Sequence, residues 1–168
     1  QTTLSDAVDG IQVIAWGAHS PMHKSCSEPA ALLGELNRRY GVHPALNPDH
    51  ASFWNPLAMA WLQRALHTGI ARRTALCLDL MAREDWRLFL TAFGEPHTAG
   101  HYFWHTEDRG HPLSSPVTTN SRATPLLATF QEVDRAIGAL ANATAADSYT
   151  VVYSVEGMEG NSMDLPSM

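Results

Sequence analysis

The densest run of chemically capable side chains is Glu95-Pro96-His97-Thr98-Ala99-Gly100-His101-Tyr102-Phe103-Trp104-His105. His97, His101 and His105 recur at every fourth position. On a helix, that spacing places all three on one face. Two imidazoles at i and i+4 can hold one divalent cation, and imidazole suits zinc, iron or nickel. Glu95 adds a carboxylate just upstream. The pattern is not a metalloprotease helix, which needs Glu directly after the first His, where this chain has Thr98. Gly100 weakens the helical pattern, so a His-rich surface loop backed by aromatics is the competing reading.

Two further groups could join this cluster. Glu156, in Ser154-Val155-Glu156-Gly157-Met158, follows an apolar run and reads as a metal ligand, a base or a solvated turn carboxylate. His19, in Trp16-Gly17-Ala18-His19-Ser20-Pro21, follows the first apolar run. Ser25, Ser27 and Thr98 carry hydroxyls, but none sits in the Gly-x-Ser-x-Gly turn that exposes a nucleophile. There is no Gly-rich phosphate loop. Cys26 and Cys77 form no CxxC pair, so they suggest neither a disulfide framework nor a zinc knuckle.

Patterning predicts the elements that would position these groups. Ile11-Gln12-Val13-Ile14-Ala15-Trp16, bounded by glycines, reads as a strand. A loop to Pro29 follows, and Ser27 is placed to cap a helix that carries Leu32, Leu36 and Tyr40 and stops at Gly41. Residues 42–55 read as a loop, and a second helix runs from Pro56 to His67, ended by Gly69. A third starts near Arg72, and residues 86–93 read as a buried strand followed by a Gly-Glu-Pro turn. Residues 106–122 form a second long loop. A strongly amphipathic helix spans about 124–143, and residues 150–154 form a last short strand. This alternation predicts an α/β fold with a mainly parallel sheet flanked by helices. Ligands in such sheets sit beyond the carboxyl ends of the strands, so the loops at 17–27, 94–105 and 155–168 would share the chemical edge.

Composition narrows the function. At 168 residues the chain is sized for one domain. A hydrophobic fraction of 45% argues against intrinsic disorder. The net charge is −6, and the basic residues are scattered, with only Arg38-Arg39 and Arg72-Arg73 adjacent. Duplex nucleic acid and membrane surfaces both need a clustered positive face, so neither partner is expected. No apolar run is long enough to span a bilayer. The sparse cysteines suit a reducing compartment, and a cytoplasmic location is expected.

The run Phe93-Gly94-Glu95-Pro96-His97-Thr98-Ala99-Gly100-His101, followed by aromatics and His105, resembles the alkaline phosphatase superfamily. It is most similar to the type I phosphodiesterase/nucleotide pyrophosphatase branch and its phosphohydrolase/phosphomutase-like relatives. The helix from Pro125 through Asp134 to Gly138 and the segment from Val151 to Met158 resemble later motifs of that branch, in the same order. The resemblance implies an incomplete alkaline phosphatase-like domain, with residues 1–168 an internal segment of a longer catalytic domain. It implies hydrolysis of a small-molecule phosphoester (phosphodiester, nucleotide pyrophosphate or a related sulfoester) with paired divalent metals that stabilise the attacking and leaving oxygens. His97 and His101 map onto a ligand pair, with Glu156 as a third ligand and His105 and His19 as groups that orient substrate or ligands. Zinc is the expected metal, and the oxygen donor of Glu156 would shift preference toward manganese or magnesium. Val155 stands where a ligand is expected and cannot bind metal. The nucleophile is expected outside this chain, so the chain alone should lack turnover. The alternative is a degenerate, non-catalytic relative that binds a ligand or partner, and exposed sheet edges would favour homo-oligomers.

Overall fold

The computed structural model describes residues 4–5, 7–18, 24–45, 55–111, 114, 123–154 and 157–158. Four α-helices dominate them. Two short strands, β1 (Gln12–Ile14) and β2 (Cys26–Glu28), pair antiparallel, with Val13 opposite Ser27. The helices are α1 (Leu32–Tyr40), α2 (Pro56–Met81), α3 (Glu95–Phe103) and α4 (Pro125–Asn142), with a 3-10 turn at Trp104–Thr106 after α3.

The expected mainly parallel sheet is therefore not the architecture, and the alkaline phosphatase-like layout falls with it. The reason is visible in the two runs read as strands. Residues 86–93 and 150–154 are not helical, but among the described residues neither pairs with another strand. Aromatic and β-branched residues favour extension, but a ladder also needs a partner edge. The first sheet instead recruits residues 26–28, which lie in the stretch read as loop.

Local chemistry explains the helices. The Asn55 side chain accepts the Ala58 N–H at the start of α2, with Pro56 beside it in the first turn. Thr124 does the same for α4 through the Leu127 N–H, at 3.3 Å. Ser27 does contribute to the start of α1, from a distance: its Oγ accepts the Leu33 N–H at 2.8 Å and donates to the Pro29 carbonyl. Gly41 closes α1 in the left-handed region at φ 82°. The two helices expected at 56–67 and from Arg72 are one 26-residue helix, and Gly69 lies inside it.

Among the described residues, apolar burial falls into three clusters. α2, α3 and the start of α4 meet around Leu62, Leu66, Tyr102, Phe103 and Leu126. The first strand, α1 and the second half of α2 meet around Trp16, Leu36, Leu76 and Leu80. A smaller one joins Ile70 to Val133 and Ala136, with Phe93 against it. No described helix is long and apolar enough to cross a membrane.

Candidate functional site

Helix α3 opens with Gly94-Glu95-Pro96, the tripeptide read as a turn. Gly94 is its N-cap and Pro96 lies in the first turn, where its missing N–H is harmless. Glu95, the first helical residue, is buried at 2% exposure. A carboxylate there also faces the positive end of the helix dipole. Its Oε1 lies 3.0 Å from His43 Nε2 and 3.3 Å from Arg73 Nε. Arg73 also donates to the Trp16 carbonyl at 2.9 Å, and its guanidinium lies over the rings of Trp16 and Phe93.

The protonation pattern follows from the partners. His43 Nδ1 accepts the Ala45 backbone N–H at 3.2 Å, which leaves Nε2 as the nitrogen that donates to Glu95. Burial pushes the Glu95 carboxyl up, but the His43 hydrogen bond, the Arg73 charge and a backbone hydrogen bond outweigh it and hold the group below the usual carboxylate range. The His43 ring is seated between two glycines. A Cβ at Gly69 would lie 2.1 Å from its Nε2, and one at Gly17 would lie 2.5 Å from its Cδ2. Sequence reasoning missed His43 and Arg73 and misassigned Gly69. The only signal was a glycine inside an otherwise strong helical run, and that reads equally as a helix stop.

On its outer side α3 carries the predicted histidine pair. His97 is half-buried and His101 exposed. Their Nε2 atoms are 3.0 Å apart, one donating to the other, with the rings edge-on at 81°. Gly100 does not break the helix: it is buried, and a Cβ there would lie 1.8 Å from the Met158 sulfur. The glycine makes room for a neighbouring segment.

His105 does not come together with His97 and His101 in a group that could hold a metal ion. The chain tightens into the 3-10 turn after Phe103, and His105 sits beside His111 with ring centroids 6.1 Å apart. Burial and the His111 charge hold its pKa below the usual histidine range, against a hydrogen bond to the Tyr102 backbone. Glu156, Val155 and His19 lie outside the described residues. Among the described residues, no three His, Cys, Asp or Glu side chains come together closely enough to hold a metal ion.

The hydroxyl and thiol candidates serve the fold. Thr98 and Ser27 are buried, and Ser25 donates to the Ala15 carbonyl at 2.8 Å. Burial pushes the Cys77 thiol up, against the hydrogen bond with Thr91, so it is a poor nucleophile.

Comparison with known proteins adds no relative: no protein-family model, no curated protein and no solved structure matches the chain.

Proposed function

We propose that α3 supplies two imidazole ligands to a divalent cation, and that the chain serves metal-dependent hydrolysis of a small-molecule phosphoester. One observation carries the reading: His97 and His101 face each other across one helical turn with Nε2 atoms 3.0 Å apart. That separation is within twice the roughly 2.0–2.1 Å of a zinc–imidazole bond, so both nitrogens are within reach of one ion. The donor set suits zinc first. A bound ion would supply charge to stabilise the oxygens of a phosphoester. The residues of this chain hold the ion: His97 and His101 as ligands, on a helix whose first turn is pinned by Glu95 to α2 and to His43. The reading rests on this helix and on the residue pattern around it, not on a parallel sheet.

A second reading, a ligand- or partner-binding chain without catalysis, is favoured by Val155, which stands where the resemblance expects a ligand and cannot bind metal.

Elemental analysis of the purified chain tests the first reading. Zinc or manganese near one ion per chain, lost in His97→Ala/His101→Ala, is the expected result. Absence of bound metal after loading, or metal retained by the double variant, overturns it. The same samples assayed on bis(p-nitrophenyl) phosphate should show no steady turnover, because the resemblance places the nucleophile outside this chain. Hydrolysis that survives His101→Ala would remove the assigned roles.

A further inference from the structure

One described segment lacks the surroundings its composition demands. Residues 149–153, Tyr-Thr-Val-Val-Tyr, are β-branched or aromatic throughout. They are nevertheless open to solvent: Tyr149 is 97% exposed, Val151 78%, Val152 63% and Tyr153 75%. Among the described residues, no backbone hydrogen bond joins this run to another segment; the last one before it closes the turn from Ala145 to Ser148. Isolated exposed apolar residues are ordinary, but four within five consecutive residues, with no backbone hydrogen bond to another described segment, offer an edge that can template a strand.

The sequence of the run identifies the partner. Ser148-Tyr149-Thr150-Val151-Val152-Tyr153-Ser154 reads the same in both directions except at Thr150 and Val152. Two copies run antiparallel about Val151 would place Val151 opposite Val151, Tyr149 opposite Tyr153, and Thr150 opposite Val152. These are the aromatic and β-branched pairs that stabilise neighbouring strands. No charged residue lies within the run, so the pairing opposes no like charges although the chain carries −6 overall. An antiparallel pair of identical strands is also two-fold symmetric, the commonest symmetry of soluble oligomers. We propose that this segment is a self-complementary dimerisation strand, pairing with the same segment of a second copy in the register centred on Val151. The inference is independent of the metal pair.

Register-specific cross-linking of the full 168-residue chain tests it. Directly opposed strand residues have Cβ atoms roughly 4.5–5.5 Å apart, close to the reach of a disulfide. Under oxidised glutathione, Val151→Cys should give linked dimer well above the wild-type background from Cys26 and Cys77. Tyr149→Cys and Tyr153→Cys should link poorly alone and well when mixed. In sedimentation velocity the wild type should show a doubling of mass that Val152→Lys abolishes, with circular dichroism confirming that the variant stays helical. A wild type that is monomeric across the concentration range overturns the proposal. Association that Val152→Lys leaves intact, or linking equal in all three cysteine variants, overturns it as non-specific aggregation.

Discussion

Gly69 sits in the interior of α2, where its missing side chain admits the His43 ring. Replacing an interior helical glycine by alanine normally stabilises by about 1 kcal/mol. Here the new methyl would meet His43 Nε2 at 2.1 Å, the atom that bonds to Glu95. Gly69→Ala is therefore expected to lower the melting temperature. Gly138→Ala, in α4 with nothing within 4 Å of the added Cβ, should raise it. Equal shifts of the same sign in paired thermal melts would show that the imidazole socket does not constrain Gly69. Gly100 belongs to the same class, since it is kept small by Met158 and not by backbone need.

Helices α1 and α2 are tied along their outer surfaces by charges. Arg83 reaches both Glu35 of α1 and Asp79 of α2, each at 2.6 Å, and Arg39 of α1 meets Asp79 at 3.1 Å. The Arg83 hydrogen bond, opposed by burial and aided by Tyr40 and Arg39, holds the Asp79 carboxyl below its ordinary range. A depressed carboxyl pKa means that the unfolded chain binds the proton first. The stabilisation is thus present above the ordinary Asp value of about 3.9 and is lost as pH falls through the lower folded value. Thermal melts from pH 7 to pH 2 should show Asp79→Asn less stable than wild type at neutrality, with the gap closing below about pH 4. A gap that is constant with pH would remove Asp79 as the source. Exposed ion pairs contribute little, and Arg39 is 59% exposed, so the effect should come mainly through Arg83.

Across the whole molecule, Glu95 is the point where distant segments converge. Its one oxygen receives His43 from the loop after α1 and Arg73 from the middle of α2, and Arg73 carries the link on to Trp16 after β1. Removing one member of a buried ion pair is far worse than never having it, because the partner charge stays desolvated. Glu95→Ala leaves Arg73 without its carboxylate and should reduce the unfolding free energy by about 3–5 kcal/mol. Urea denaturation checks this; a loss below about 1 kcal/mol would mean that the hub is peripheral to stability. Because His97 lies two residues beyond Glu95, the same hub sets the placement of the proposed metal pair.

Much of this was legible in the residues, and the division has a physical basis. Helical periodicity and caps act within a few residues, so α4 was expected at about 124–143 and found at Pro125–Asn142, and the end of α1 at Gly41 was found as expected. The i, i+4 spacing of His97 and His101 belongs to the same local class, and the helix brings them together as that spacing requires. His105 lies past the end of α3, in the 3-10 turn, where the i, i+4 spacing rule of the α-helix no longer applies. Strand pairing is not local: residues 86–93 and 150–154 have strand composition, but a sheet exists only where another edge meets them. The Glu95–His43–Arg73 hub spans 52 residues of sequence between His43 and Glu95, and no spacing rule connects such positions. Only the packing of α2 against α3 and the loop after α1 put a glycine, an imidazole, a guanidinium and a carboxylate in one buried place, where low dielectric makes their pairing obligatory.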